Sequence, residues 1–579
     1  MRTLIVGGVA GGMSAATRLR RLDESAEIVV FERGAYVSFA NCGLPYYVGG
    51  VIEDRADLLP QSPESLAARF ELDVRVRHDV IAIDRRAKTI TVRDLQSGST
   101  STEAYDTLIL AGGATATPGA VTASVPTHTL RTIDDVDAIA AILTEAGDQP
   151  RAVVIGAGFI GLEAVENLVA RGVQVTLVQR GSQILAPRDP EMVAPMLDIL
   201  TSNGVDVRTG TTVVSSAAGP SDPATPHRTR PSRGTVTLSD GSVLPVDLVI
   251  EASGVRPDTA LAESAGLTIG QAGGIAVDGW QRSNDPFIFA VGDGVEKTDA
   301  IDARATLVTM AGLANRHGRS AADAIAAHAT ESRLPAAPAL GTAIIGVLGL
   351  TVAMVGWSET KLRAAGRGHR VIHTHPMSHA SYYPGAEQLA IKLLVDCVTD
   401  LILGAQIIGR EGVDKRIDVL ATAMTGGITA SALTRLELAY APQFGSAKDP
   451  INLAGYVAEN LMSGTTRSIQ WHELDAAVEG GAVVIDVRGP EEFEAGSIPG
   501  AINIPLDELR VRRAEVPDAP LIVHCRVGQR GHTASRLLTQ LGHEVQNLDG
   551  GWLTWAAGTS TAATTATPAT TATTRSPAR

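Results

Sequence analysis

Cys42 is the first residue of the chain whose type and setting suit redox chemistry. It lies in the stretch Ser-Phe-Ala-Asn-Cys-Gly-Leu-Pro-Tyr-Tyr. Ser38 and Asn41 suit a solvated site, and a helix beginning at Gly43 or beyond would lower the pKa of the thiol through its N-terminal dipole. The alternative is a buried thiol that acts as a small hydrophobic side chain. Val37 stands five residues upstream, where a paired redox cysteine would lie. We therefore expect Cys42 to cycle against an external disulfide, a persulfide or a peroxide.

A second cysteine, Cys525, follows a strand pattern near the C-terminus. The segment Leu-Ile-Val-His-Cys-Arg-Val-Gly-Gln-Arg, which ends at Arg530, reads as a strand and a loop that opens a helix near Gly531. Backbone N–H groups of such a loop converge on the sulfur, and the helix dipole stabilises its anion. The third cysteine, Cys397, lies in an apolar strand pattern and is interpreted as an inert buried thiol.

A glycine-rich turn before Cys42 indicates a nucleotide site. It follows the strand Thr3–Val6 and precedes a helix that we expect to begin near Met13. A second strand ends at Glu32, whose carboxylate can accept hydrogen bonds from an adenosine ribose. The pattern departs from GxGxxG in one place, because Val9 holds the middle glycine position. The predicted cofactor-binding residues are Gly7, Gly8, Val9, Ala10, Gly11, Gly12, Glu32 and Arg33.

A second turn, with Gly156, Gly158 and Gly161, matches GxGxxG in full. It follows a strand and opens a helix near Leu162, so a pyrophosphate would lie on the helix N-terminus. Two such units in one chain imply two dinucleotides, FAD and NAD(P)H.

The strand after the second turn ends in Gln179 and Arg180, where users of NADH commonly have an acidic residue. A missing carboxylate removes repulsion against a 2′-phosphate, and Arg180 could pair with that group, so the pattern favours NADPH. The alternative is that Arg180 faces solvent and that both nicotinamide cofactors bind.

Composition bounds the partners and the compartment. The formal net charge of −14 argues against nucleic acid as a partner. Three cysteines in 579 residues indicate a reducing compartment without structural disulfides, and no signal peptide pattern is present, so we expect a cytoplasmic protein. Residues 334–358 carry no charge, but their glycines, prolines and β-branched residues predict two buried strands rather than a membrane helix.

Three further segments have simpler interpretations. Residues 72–110 alternate as short strands and suggest a small antiparallel layer. Residues 216–234 are rich in Pro, Ser, Thr and Arg and read as an insertion in a surface hairpin. A metal site built from His373, His375 and His379 is rejected for its irregular spacing, so no metal is expected.

The segment around Cys42 resembles the active-site signature of the coenzyme A disulfide reductases. These are the single-cysteine branch of the pyridine nucleotide-disulfide oxidoreductases, which also contains NADH oxidases and peroxidases. The resemblance covers residues 1–461. It implies an α/β chain with two Rossmann-like dinucleotide-binding domains, for FAD and NAD(P)H, and an α+β dimerisation domain in a homodimer.

The same resemblance implies roles for individual residues. The backbone at Val80 would contact the flavin adenine, Gly254 would return the chain toward the flavin, and Asp293 would hydrogen-bond its ribityl and phosphate region. Tyr382 and Tyr440 would reach the active site across the dimer and donate a proton to a leaving thiolate, or else only pack at the interface. The residues implied to bind coenzyme A are Ser14, Arg18, Arg21, Ser38 and Asn41.

The residues after Leu461 resemble a second family, the rhodanese domains, which belong to the α/β class. Cys525 would be its sulfur-carrying nucleophile and Arg530 a substrate-binding residue. Ser497 stands where that family usually has histidine. The implied domain order is FAD-binding 1–112, NAD(P)H-binding 113–250, FAD-binding 251–330, dimerisation 335–461, linker 462–468 and rhodanese 469–556. Residues 557–579 are rich in Thr, Ala and Pro, which predicts a disordered tail.

The predicted function is NAD(P)H-dependent reduction of coenzyme A disulfide, coenzyme A persulfide or polysulfide through FAD and Cys42, with a fused sulfurtransferase. One alternative is an NADH oxidase or peroxidase that cycles Cys42 through a sulfenic acid. Another is a flavin-bearing redox sensor that docks a partner. The sequence leaves the choice of substrate and the sulfur route between the two thiols open.

Overall fold

The computed structural model describes residues 1–117, 119, 124–219, 233–326 and 335–566, with the side chains of 561–566 excluded. The chain divides into two compact units. The first contains residues 1–180 and 211–341, and the second contains residues 181–210 and 342–579.

The strands of the described residues are, in chain order, β1 (Arg2–Val6), β2 (Glu27–Glu32), β3 (Asp73–Val76), β4 (His78–Asp84), β5 (Thr89–Asp94), β6 (Thr100–Ala104), β7 (Thr107–Leu110), β8 (Ala114–Ala116), β9 (Thr127–His128), β10 (Arg151–Ile155), β11 (Gln174–Gln179), β12 (Asp206–Thr209), β13 (Val213–Ala217), β14 (Gly234–Leu238), β15 (Val243–Val246), β16 (Leu248–Glu251), β17 (Val255–Pro257), β18 (Ile288–Ala290), β19 (Lys297–Thr298), β20 (Ala305–Thr306), β21 (Ala343–Val347), β22 (Leu350–Gly356), β23 (His369–Thr374), β24 (Ala390–Asp396), β25 (Ile402–Gly409), β26 (Ser468–Ile469), β27 (Val483–Asp486), β28 (Ile502–Asn503), β29 (Leu521–His524) and β30 (Val545–Leu548).

The α-helices of the same residues are α1 (Ala10–Leu22), α2 (Leu44–Gly49), α3 (Pro63–Phe70), α4 (Ile133–Glu145), α5 (Phe159–Ala170), α6 (Pro190–Ser202), α7 (Ala260–Ser264), α8 (Ala311–Ala326), α9 (Glu359–Ala364), α10 (Val413–Thr425), α11 (Pro450–Met462), α12 (Leu474–Glu479), α13 (Pro490–Glu494), α14 (Gln529–Gln540) and α15 (Gly551–Ala566).

The first unit contains a parallel sheet in the order β18-β7-β1-β2-β3. Its central strand β1 pairs in parallel with both β2 and β7. Leu4 and Ile5 point to opposite faces of β1 and are both fully buried, as expected for a parallel sheet covered on both sides. Helix α1 begins at Ala10, three residues before the predicted start.

The antiparallel layer predicted for residues 72–110 is smaller than expected. It consists of β4, β5 and β6. Strands β3 and β7 were assigned to it from their alternation, but they pair in parallel with β2 and β1. A short strand pattern does not specify its pairing partner, so this part of the prediction was wrong.

Beside the second glycine-rich turn, strands β11, β10, β16 and β9 are adjacent in that order and pair in parallel. A hairpin of β13 and β14 continues into β15. The predicted insertion falls between β13 and β14, where residues 220–232 lie outside the described residues. Helix α5 begins at Phe159 rather than near Leu162.

The second unit contains an antiparallel sheet in the order β21-β22-β25-β24-β23. Strands β21 and β22 pair with each other, which confirms the two strands predicted within residues 334–358. Among the described residues, no helix is both long and apolar enough to cross a bilayer.

A second sheet of this unit is parallel, with the order β26-β30-β29-β27-β28. Cys525 directly follows its central strand β29, and α14 begins at Gln529. Helix α15 continues to Ala566, so the segment predicted to be disordered from residue 557 begins as helix. Residues 567–579 of that predicted tail lie outside the described residues.

Candidate active sites at the two thiols

Cys42 lies in a short 3-10 turn, Asn41–Gly43, directly before α2. Helix α2 approaches α5 so closely that a Cβ atom on Gly49 would lie 2.1 Å from Oδ1 of Asn167. The Arg171 side chain also donates a hydrogen bond to the carbonyl of Val48 at 3.1 Å. The thiol is therefore placed beside the helix that begins at the second glycine-rich turn.

The thiol is exposed, which excludes the inert buried cysteine considered from the sequence. Its pKa is nevertheless raised, because neighbouring atoms remove part of its solvation and because the carboxylates of Glu163 and Asp293 disfavour a thiolate. The expectation of a lowered pKa was therefore wrong. Helix α2 has only six residues, and the loss of solvation together with the two nearby negative charges raises the pKa despite its dipole.

Glu163 is a functional candidate that the sequence analysis did not select. It is the fifth residue of α5, and burial, aided by the charge of Glu166, raises its pKa to about 7. A carboxyl group with that pKa can exchange a proton near neutral pH. The sequence did contain a signal for Glu163, because the residue directly follows the GxGxxG turn, which brings α5 to the cofactor.

The first glycine-rich turn has the geometry of a dinucleotide site. Gly7 has φ of 105°, and a Cβ atom there would lie 2.3 Å from the carbonyl oxygen of Ala111. The backbone N–H of Gly8 donates to Oε2 of Glu32 at 2.8 Å, and that of Gly34 donates to Oε1 at 2.7 Å. Glu32 thus lies beside the turn, where a ribose would meet it.

The second turn is built in the same way. Gly156 has φ of 102°, and a Cβ atom on it would lie 2.3 Å from the carbonyl oxygen of Ala252. Oε1 of Gln179 accepts a hydrogen bond from the backbone N–H of Ala157 at 3.1 Å. The neutral amide of Gln179 therefore holds the position that Glu32 holds in the first turn. Arg180 is exposed.

Asp293 lies among charged groups. Burial raises its pKa, while Lys297 and Arg131 oppose that rise. Lys297 is buried and donates to the carbonyls of Gly292 and Val295, each at 2.7 Å, and burial lowers its pKa to about 8. Asn41 donates to the carbonyl of Arg131 at 3.2 Å. Arg131 and Lys297 had no motif to mark them, because their neighbours come from distant parts of the chain.

The residues predicted to contact coenzyme A all lie in the first unit, but they differ in the contacts that they make there. Arg18 forms an ion pair with Asp323 at 2.7 Å, and Ser14 donates to Asn315 at 2.6 Å. Arg21 is exposed. Ser38 and Asn41 stay next to Cys42 through the chain itself, and the backbone N–H of Ser38 donates to the carbonyl of Gly8 at 2.8 Å.

The remaining predicted flavin contacts lie in the same unit. Val80 is buried at a bulge between β4 and β5. Gly254 has φ of 114°, and its carbonyl accepts from the backbone N–H of Thr117 at 2.9 Å. Arg33 pairs with Asp258 at 2.9 Å. Their contact with FAD stays a prediction.

In the second unit, the structure brings Tyr382 and Tyr440 together. Their hydroxyl groups lie 2.9 Å apart, and the residues are 74% and 49% exposed. The hydrogen bond raises the pKa of Tyr382. Cys397, interpreted as buried, is exposed, because β24 ends at Asp396 and its carboxylate accepts from the backbone of the following turn.

Cys525 is fully buried at the end of β29. Arg530, from the first turn of α14, forms a two-point ion pair with Glu492 at 2.7 and 2.8 Å. This pair raises the pKa of Arg530, with a smaller contribution from the Cys525 sulfur itself. The guanidinium is thus held beside the thiol. Glu492, which the sequence analysis did not select, fixes it there.

A buried ion pair lies at the end of β27, the strand that pairs with β29. Arg488 and Asp486 lie 2.6 Å apart, and Arg488 also donates to the carbonyl of Gly496 at 2.6 Å. His524 is buried beside Asp486 at 3.5 Å, and burial lowers its pKa.

Two nucleotide turns, a single thiol between them and a separate antiparallel sheet define a flavin-linked nicotinamide oxidoreductase. The chain belongs to the pyridine nucleotide-disulphide oxidoreductase family, whose model matches residues 1–318. The family's dimerisation domain matches residues 342–449, and a rhodanese-like domain matches residues 470–558. The predicted fold class is confirmed, as are FAD and NAD(P)H, the cofactors of this family.

Particular relatives share most of the chain. A coenzyme A disulfide reductase from Staphylococcus aureus is 34% identical over 459 residues, which are 79% of this chain and all of the relative. The crystal structure of reduced Bacillus anthracis CoADR-RHD is 43% identical with a TM-score of 0.89, over 96% of this chain and 98% of that one. The NAD-dependent persulfide reductase from A. fulgidus is 34% identical with a TM-score of 0.86, over 96% and 100%.

Proposed function

We propose that this protein reduces coenzyme A disulfide and coenzyme A persulfide with NAD(P)H, through Cys42, and transfers sulfane sulfur through Cys525. The observation that carries the proposal is the exposed thiol of Cys42 beside α5, the helix that follows the second glycine-rich turn, in a chain that also holds a buried thiol beside Arg530. A thiol without a partner in its own loop must form its disulfide with the substrate.

The first step is attack of the Cys42 thiolate on coenzyme A disulfide. One coenzyme A leaves as its thiolate, and a mixed disulfide with Cys42 remains. With coenzyme A persulfide, attack on the inner sulfur gives the same mixed disulfide and releases sulfide. FAD, when bound, supplies the passage of two electrons from NAD(P)H to that disulfide, which restores the Cys42 thiolate and releases coenzyme A.

Several residues prepare that exchange. Because the pKa of Cys42 is raised, the resting group is a thiol, and a base must remove its proton. Glu163, with a pKa of about 7, can accept it near neutral pH. Tyr382 and Tyr440, hydrogen-bonded to each other at an exposed surface, would serve the site of a second subunit in a homodimer.

Residues around the second thiol suit a sulfur anion. The positive charge of Arg530 faces Cys525 and stabilises a thiolate or a persulfide. Sulfur held there passes to coenzyme A or to Cys42 and is released as sulfide after reduction. All three cysteines are free, which suits a reducing, cytoplasmic compartment.

The test is a steady-state comparison of coenzyme A disulfide, coenzyme A persulfide, polysulfide and oxygen as electron acceptors for NAD(P)H. We expect the two coenzyme A substrates to give the highest kcat/KM. Cys42→Ser should abolish these rates but keep flavin absorbance and thiosulfate:cyanide transfer. Turnover by Cys42→Ser at the wild-type rate, or oxygen as the preferred acceptor, would contradict the proposal.

A further inference from the structure

The rhodanese-like segment is connected to the antiparallel sheet of the second unit by a buried chain of charged residues. The backbone N–H of His373, on β23, donates to Oδ2 of Asp549 at 2.9 Å, and its Nδ1 lies 2.7 Å from the same oxygen. Its Nε2 lies 3.2 Å from Oε1 of Glu191. Each of these residues is less than one-tenth exposed, so water cannot replace the contacts.

Asp549 directly precedes a segment that supports the sulfur loop. The backbone N–H of Trp552 donates to the carbonyl of Cys525 at 2.8 Å, and that of Leu553 donates to the carbonyl of Arg526 at 3.1 Å. A Cβ atom on Gly551 would lie 2.4 Å from the Cys525 carbonyl oxygen. A displacement of this segment would therefore displace the loop that holds the thiol.

The antiparallel sheet of the second unit and the residues next to it make further contacts with this segment and with the Cys525 loop. A Cβ atom on Gly550 would lie 2.7 Å from Cβ of His373. His375 lies 2.8 Å from the hydroxyl of Thr554, and Arg526 donates to Gln388 at 3.3 Å. The support of the sulfur loop is thus set partly by residues outside the rhodanese-like segment.

We propose that His373 is a positioning residue for sulfur transfer: as an imidazolium held between Glu191 and Asp549, it fixes the 549–553 segment and through it the Cys525 loop. The inference rests on the sulfurtransferase part of the proposed function. It extends that function by making the dimerisation domain part of the sulfur-transfer site.

The charges around His373 maintain the protonated form. Asp549 and Glu191 favour it, Lys392 opposes it, and the neighbouring His375 is neutral, because burial lowers its pKa to about 3. Although burial alone would lower the pKa of His373, these carboxylates raise it to about 9. The charged part of the positioning contact is therefore present at neutral pH and is lost as pH rises through about 9, while the backbone N–H of His373 continues to donate to Asp549.

The test uses the full-length holoenzyme and thiosulfate:cyanide transfer. In this reaction, the outer sulfur of thiosulfate moves to the Cys525 thiolate, sulfite leaves, and cyanide removes the sulfur as thiocyanate. We expect His373→Gln to lower kcat for transfer by about ten- to hundredfold with little change in KM for thiosulfate. Coenzyme A disulfide reduction should stay at the wild-type rate. Arg367→Gln, which removes an ion pair to Asp396 in the same sheet, is the matched control and should change neither rate.

Two readouts separate positioning from general destabilisation. The wild-type kcat for transfer should fall above pH 9, and this decline should be absent in His373→Gln. Thr554→Val removes only the His375 contact and should lower kcat a few-fold, which keeps the test valid where His373→Gln fails to fold.

An unchanged kcat in His373→Gln, or a wild-type profile that stays flat above pH 9, would overturn the positioning role. Absence of transfer in the wild type would overturn the sulfurtransferase assignment itself. The two failures are therefore distinguishable.

Discussion

Replacing Lys392 by methionine tests how the second unit is stabilised. The Lys392 side chain is 0% exposed, and its ammonium lies 2.5 Å from Glu191, 2.6 Å from Glu359 and 3.0 Å from Asp189. These three carboxylates have the geometry of a cation site, and the lysine occupies its centre. The variant would leave buried negative charges without their principal counter-charge.

Removing one partner from a buried ion cluster costs about 3–5 kcal/mol. For a domain of this size, that loss lowers Tm by about 6–20 °C. Urea unfolding and calorimetry of the holoenzyme measure both quantities. Lys448→Met, at an exposed lysine, is the control and should change the free energy of unfolding by at most about 0.5 kcal/mol.

The pH dependence of the loss gives a second check. In the wild type, Lys392 and His373 lower the pKa of Glu191 from 4.5 to about 2, so this carboxylate stabilises the fold above pH 4.5 and loses that contribution as pH falls toward 2. Without Lys392, burial favours the protonated carboxyl groups, so the deficit of the variant should shrink between pH 8 and pH 5. A cost below about 1 kcal/mol at pH 8, or a deficit that grows in acid, would refute the reasoning.

Three further predictions concern the sites. Gln179→Glu should lower the kcat/KM for NADPH relative to NADH, because a carboxylate repels a 2′-phosphate; an unchanged ratio would show that the end of β11 does not contact it. Glu163→Gln should speed alkylation of Cys42 at pH 8 roughly two- to fivefold, because Glu163 raises the pKa of the thiol; equal rates in iodoacetamide assays would remove Glu163 from the site. His375→Gln should reduce the loss of stability that urea titrations of the wild type show below pH 6.5. The pKa of His375 is lowered, so its burial becomes costly once the unfolded chain binds a proton. An unchanged loss of stability in acid would contradict that shift.

Local patterns in the sequence predicted the parts of the fold that local chemistry determines. Both glycine-rich turns were found because only glycine permits the close approach of Gly7 to Ala111 and of Gly156 to Ala252. The strands β21 and β22 were found because their segment carries no charge and is rich in β-branched residues, while its glycines and prolines disfavour a membrane helix. These features depend on residues that are close neighbours in the chain.

Features that depend on distant residues were not predicted. The raised pKa of Cys42 comes from partial burial and from the charges of Glu163 and Asp293, all of which depend on how the fold packs around the thiol. The cluster around Lys392 joins β24 to residues near α6 and α9. In the sequence, these charged residues look like ordinary members of solvated faces, and only the packing of the elements shows that they are buried together.

The most direct test of the central claim is mass spectrometry of the intact protein after incubation with coenzyme A disulfide in the absence of NAD(P)H. We predict one coenzyme A per chain, attached in the proteolytic peptide that contains Cys42 and released when NAD(P)H is added. The exposed Cys397 is replaced by serine in a parallel sample to exclude adventitious labelling. An adduct on Cys525 alone, or no adduct on the Cys42 peptide, would contradict the account.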